Sequence, residues 1–119
     1  MNGVINVFKP KGITSHDVIK VLRKKLGIKK VGHTGTLDPG AAGVLPVCIG
    51  KGTRISEYLL DANKEYIAEL TLGIATDTQD IEGKVINYSN KQVTDEEIYK
   101  AFANFKGQIQ QIPPMYSAV

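Results

Sequence analysis

No apolar run in this sequence approaches the roughly 20 residues a helix needs to cross a bilayer. Its opening, MNGVINVFKPKG, also lacks the basic n-region, apolar h-region and small-residue cleavage site of a signal peptide. A membrane-spanning helix is therefore excluded, and a cytoplasmic location is expected. Cysteine is nearly absent. The single thiol, Cys48, has no intrachain partner, and its place in the apolar run 44–49 predicts a buried, inert group. One cysteine and two histidines, His16 and His33, are too few to support a zinc site, so no metal is expected. Repeats, low-complexity tracts and linkers are also missing, and nothing divides the 119 residues into two domains.

Charge of one sign is in excess only slightly: the net value is +3, which by itself predicts little about partners. Its distribution says more. Between positions 20 and 30 the chain places Lys20, Arg23, Lys24, Lys25, Lys29 and Lys30 with no acid among them, whereas the carboxylates concentrate after Asp61. That asymmetry suggests an N-terminal face that meets phosphate; a solvated helix face that keeps the protein soluble explains the charges equally well.

The composition, 42% hydrophobic and 23% charged, is that of an ordinary globular chain. Residues 4–8 are apolar and rich in β-branched side chains, and Lys9-Pro10-Lys11-Gly12 stops them with turn chemistry, so a strand and a turn are predicted. A helix follows. Thr14 and Asp17 form a capping-box pattern, apolar residues recur at Val18, Val21, Leu22 and Leu26, and Gly27 supplies the stop. Thr53 is suited to cap a helix carrying Ile55, Tyr58 and Leu59. Residues 66–72 alternate as a half-buried strand does, with Tyr66, Ala68, Leu70 and Leu72 on one face. Residues 74–83 read as a polar connection and 84–88 as a short strand. Thr94 with Glu97 then caps a helix whose face is Ile98, Ala101, Phe102 and Phe105, ended by Gly107. Strands and helices in this mixed order predict an α+β fold.

From position 31 to 52 the helical period is lost, and six glycines and two prolines interrupt the apolar residues. A loop of special backbone geometry is thereby anchored to the core, an arrangement that commonly holds a ligand. Within it Asp38 precedes a proline, which biases its backbone toward the extended region and aims the carboxylate. Two other motifs fail on spacing. Gly50-Lys51-Gly52-Thr53 is no phosphate loop, because six residues rather than four separate Gly43 from Gly50 and a glycine follows the lysine. The acidic run Asp77 to Gly83 lacks the ligand order and closing glutamate of a calcium loop.

The segment GHTGTLDPGAAGVLPVCIGKGTR resembles the catalytic-loop signature of the TruB pseudouridine synthases. Three further segments match in order: NVFKPKGITSHDVI, KEYIAEL and IPPMYSAV. The likeness covers nearly the whole chain. It implies isomerisation of a uridine in the T loop of tRNA, conventionally position 55, to pseudouridine on a flipped-out base, with no cofactor. It also implies a mixed, largely antiparallel sheet flanked by helices and loops, of which residues 1–119 contain only the N-terminal part. On this likeness Asp38 matches the nucleophile, the alternative being an aspartate that serves a cap or Asx turn. Tyr66 corresponds to the aromatic residue that stacks on the extruded base, with a share in removing the proton from C5, against a core tyrosine. His33 resembles a histidine that contacts the RNA, against a loop histidine held by a backbone hydrogen bond. Arg54 stands at a basic position suited to a phosphate, against a solvated helix-start residue.

Lys9, Lys11, Lys20, Arg23, Lys24 and Lys25 are further candidates for contact with the RNA backbone, and Met115-Tyr116-Ser117-Ala118 matches a segment near the family's cleft. The expected partners are the T-stem loop of tRNA and the missing C-terminal part of the same protein. That part would carry a later strand motif with an arginine and a tyrosine, and usually an RNA-binding PUA domain. Without it the chain is expected to be catalytically silent or nearly so. Its other reading is a tRNA-binding or tRNA-folding module without turnover. The guide-RNA-dependent synthases of the dyskerin type fit less well, because the compact KPKGITSHD opening looks bacterial.

Overall fold

A computed structural model of the chain describes residues 1–112; the 115–118 segment lies outside them. The chain forms two compact units, Met1–Tyr66 and Ile67–Val119.

In the first unit, strand β1 (Gly3–Lys9) leads through the Pro10–Gly12 turn into helix α1 (Ser15–Leu26). Strands β2 (Val31–His33) and β3 (Gly43–Ile49) follow, then a 3-10 turn (Gly50–Ile55) and the short helix α2 (Ser56–Leu60). The sheet order is β1-β3-β2 with both pairings antiparallel, so β1 and β2 run parallel on either side of β3 and α1 is their crossover. Odd-numbered β3 residues Leu45, Val47 and Ile49 face α1 and bury against Val18, Ile19 and Val31, with Val7, Leu22 and Leu26 closing the edges. The predicted apolar stripe holds at Val18, Leu22 and Leu26 and differs in one member: Ile19 is buried, whereas Val21 is 51% exposed. Cys48, on the opposite sheet face, is buried as expected, and desolvation raises its thiol pKa.

Both ends of α1 follow the sequence rules. Thr14 accepts a hydrogen bond from the Asp17 amide at 3.0 Å, and Asp17 Oδ2 accepts from the Thr14 amide at 3.1 Å. Gly27 closes the helix in the left-handed region at φ 65°, where a β-carbon would be strained. Gly52 is required for a different reason: a β-carbon there would collide with the Gly3 carbonyl, so the 3-10 turn seats directly on the start of β1. Thr53 lies inside that turn, bonding the Gly50 carbonyl at 2.9 Å, and α2 has no side-chain cap. The predicted Thr53 cap is therefore corrected.

In the second unit, β4 (Ile74–Thr76) and β5 (Val85–Tyr88) form an antiparallel hairpin, followed by α3 (Asp95–Ala103) with the predicted Thr94–Glu97 capping box. The connection of 74–83 thus contains a strand. Its Asp80 carboxylate accepts from Thr78 Oγ1 and the Glu82 and Gly83 amides, which is turn chemistry rather than cation ligation. The strand expected over 66–72 does not form. A ladder needs a partner, and among the described residues none is in register with it; Leu70 and Leu72 instead face α3 across an apolar groove of about 570 Å³ floored by Val93, Ile98 and Phe102. No described residue after Ile49 is fully buried.

The two capping boxes predict an acid sensitivity. Hydrogen bonds from Thr14 chiefly, then Lys20, hold the Asp17 carboxyl below its ordinary pKa, and the Thr94 amide and Lys91 do the same for Glu97. A carboxylate with a depressed folded-state pKa stabilises the fold above its unfolded pKa and loses that contribution as pH falls through the folded value. Melting temperature should therefore be flat above the ordinary carboxylate range and drop below it. Asp17→Asn should lower the plateau and shallow the drop, as read by circular dichroism against pH.

Candidate active site

Asp38 sits in the turn between β2 and β3, closed by the Ala41 amide donating to the Asp38 carbonyl at 3.0 Å. The residue before it is clamped by Ser15, at the first position of α1. The Ser15 hydroxyl accepts from the Leu37 amide at 2.9 Å and donates to the Leu37 carbonyl at 3.2 Å, and it is 2% exposed. The residue after it is clamped as well: the Pro39 carbonyl accepts from the Gly12 amide at 2.8 Å and from Lys9 Nζ at 3.5 Å. Both neighbours of Asp38 are thus tied to the β1–α1 connection, while its own carboxylate is exposed and has no hydrogen-bond donor among the described residues. A fixed backbone carrying an unengaged carboxylate is what a nucleophile needs, since it enters the reaction without first breaking a bond.

Lys9 is a correction. It was a candidate for phosphate contact, yet it is fully buried, and its ammonium donates to the carbonyls of Pro10 at 2.9 Å, Ile13 at 2.8 Å and Pro39. All three of its donors are used inside the protein, so none is left for RNA. The parity of β1 carried the signal: Lys9 falls on the α1-facing side with Ile5 and Val7, opposite Val47 and Leu45. Ser15, by contrast, was missed without any such cue, because a serine next to an N-cap reads as solvated.

The other basic candidates do not form one patch. Lys11 is exposed in the turn beside Pro39, near Asp38. Lys20 pairs with Asp17 at 3.4 Å, and Arg23 Nη2 donates to the Val31 carbonyl at 2.9 Å, pinning α1 to β2. Lys24 and Lys25 occupy the far turn of α1, and Arg54 is exposed in the 3-10 turn at that same end. His33 ends β2 half-buried, with Nδ1 enclosed and without a hydrogen-bond partner among the described residues. Tyr66 is 64% exposed rather than a core residue. Two residues before it, the Lys64 side chain passes Gly35, where a β-carbon would lie 3.9 Å from Lys64 Cε. No described cluster of His, Cys, Asp and Glu could hold a metal ion.

The model of the TruB family pseudouridylate synthase N-terminal domain matches residues 23–119. The chain belongs to the TruB family. It is 59% identical over 119 residues to tRNA pseudouridine synthase B of Alkaliphilus oremlandii and 54% identical over 120 residues to that of Clostridium tetani, in each case over all of this chain. The chain spans about 40% of the length of these relatives. Among solved structures, it is similar to a chain of an H/ACA RNP bound to a substrate RNA containing 2'-deoxyuridine, with 37% identity and a TM-score of 0.70. That likeness covers 93% of this chain and 30% of the other. A chain of a Cbf5-Nop10-Gar1 complex matches at 33% identity and a TM-score of 0.66, over 98% of this chain and 30% of its own. The α+β architecture with antiparallel pairing is thus that of a TruB-family domain, and Asp38, His33, Arg54 and Tyr66 all fall inside the matched span.

Proposed function

We propose that this chain supplies the N-terminal part of the catalytic domain of a tRNA pseudouridine synthase acting on a T-loop uridine, position 55, with Asp38 as the nucleophile. The observation that carries the reading is the Asp38 carboxylate, unengaged between two clamped neighbours. Isomerisation breaks the bond from C1' to N1 and forms one from C1' to C5; N1 gains a proton and C5 loses one, so no oxidant or cofactor enters. The carboxylate attacks the reacting nucleoside and holds it while the base turns. Tyr66, exposed, offers the stacking face and a route for the C5 proton. The greater identity to tRNA-type relatives, 59% against 37% for the H/ACA chain, supports tRNA as substrate.

The test is to incubate the full-length protein with an unmodified T-stem loop and detect pseudouridine by derivatisation and mass. Product at one T-loop uridine is expected; RNA bound without product would mean a binding module. Tyr66→Leu should slow turnover by about 5- to 150-fold, the equivalent of the roughly 1–3 kcal/mol of a lost stacking face. Equal rates for the variant and its parent would return Tyr66 to a structural role.

A further inference from the structure

Five lysines crowd the end of the first unit's sheet that lies away from Asp38. Gly3, Ile49 and Val31 form one row across the three strands at that end, whereas Lys9 pairs with Gly43 beside the Asp38 loop at the other. Lys24 and Lys25 lie in the last turn of α1, Lys29 and Lys30 lead into β2, and Lys51 follows β3. Their backbones are tied together there: the Gly50 amide donates to the Lys30 carbonyl at 2.8 Å, and the Lys51 amide to Asn2 Oδ1 at 2.6 Å. All five are exposed, and none is in an ion pair among the described residues. Compensation of the α1 dipole accounts for Lys24 and Lys25 but not for the other three, which lie outside the helix. Residues 1–56 as a whole carry ten basic side chains against two acidic ones, Asp17 and Asp38.

We propose that this lysine patch binds the phosphate backbone of the substrate RNA's helical stem, remote from the nucleotide at Asp38. The proposal rests on the RNA-modifying reading above and adds a second contact region to it. Six strand steps of roughly 3.3 Å, or the twelve residues of α1 at about 1.5 Å each, separate the patch from the Asp38 end by about 20 Å. That span reaches several base pairs along an A-form stem. Lysine binds phosphate as a point charge and reads no base, so the patch adds affinity and orientation without sequence preference. It also lies about two Debye lengths from the reacting nucleotide at 0.1 M salt, too far to act on it through solvent.

The experiment uses the full-length protein and two RNAs, a T-loop hairpin with about three base pairs and one whose stem is extended to about twelve. Lys24→Glu, Lys25→Glu, Lys29→Glu and Lys30→Glu are combined, with the four glutamine substitutions as a second variant that removes charge without reversing it. Dissociation constants are measured against salt. For the long stem, binding should weaken about tenfold or more at 0.1 M salt, and the log–log salt slope should shallow by roughly two to three. For the short hairpin, affinity should stay within about twofold. The glutamine variant should show the same contrast with a smaller loss, even if the glutamate variant melts early. Equal weakening on both RNAs overturns the proposal, and so does an unchanged affinity for the long stem, which would leave the patch to solvent or an acidic protein. A parent protein that binds neither RNA overturns the RNA-modifying reading itself, a result distinct from either of these.

Discussion

Asp38→Asn in the full-length protein should lower pseudouridine formation by more than about 10³-fold, while RNA affinity and melting temperature stay near those of the parent. The amide keeps the shape of the carboxylate but has no anionic oxygen to attack with. Nothing structural should be lost, because the bonds that shape the turn run through backbone: the Asp38 carbonyl to Ala41, the Leu37 backbone to Ser15 and the Pro39 carbonyl to Gly12. The outcomes separate three accounts. Inactivity in a folded, RNA-binding variant assigns the nucleophile. Turnover at the parent rate would make Asp38 a turn residue, and a lowered melting temperature would show a stabilising contact that the geometry does not contain. RNA affinity, measured beside turnover, is the control, since the proposed phosphate contacts and stacking would not pass through this carboxylate.

Much of this was legible because the rules involved are local. Thr14 with Asp17 and Thr94 with Glu97 fix their helices through side chains three residues apart, and Gly27 stops α1 through its own φ; none of these needs a distant partner. The density of glycine and proline around Asp38 likewise marked a loop whose geometry is held from elsewhere. What was not legible depends on partners. Residues 66–72 carry a strand's alternation, but a strand exists only when another lies in register beside it, and Leu70 and Leu72 pack toward α3 without one. Thr53 has the chemistry of a cap, yet Gly52 lets the chain close onto Gly3 and Thr53 is drawn into the 3-10 turn. Of the candidate site, the loop and its acid were readable, while the clamp from Ser15 is a contact across 22 positions of sequence and the separation of Lys11 from Lys24 and Lys25 follows only from the direction of α1.

Lys9 supplies the sharpest test of that difference between charge read from sequence and charge placed by the fold. Lys9→Met should destabilise the full-length protein by about 1.5–3 kcal/mol, the contribution of a charge-assisted hydrogen bond. Methionine fills most of the same volume, so packing is largely kept and the loss isolates the ammonium. The Pro10 and Ile13 carbonyls then lose this donor together, both in the connection whose Gly12 amide still holds Pro39. Turnover should fall through kcat more than KM, since the Asp38 loop loosens while the exposed surface is unchanged. The salt dependence of RNA binding decides between the two accounts. A phosphate-contacting lysine would shallow the log–log slope by about one when removed and leave the melting temperature alone, whereas a buried clamp lowers the melting temperature by several degrees and leaves the slope as it was. Because Lys9 is fully buried and its three donors are already shared among Pro10, Ile13 and Pro39, the second pattern is the expected one.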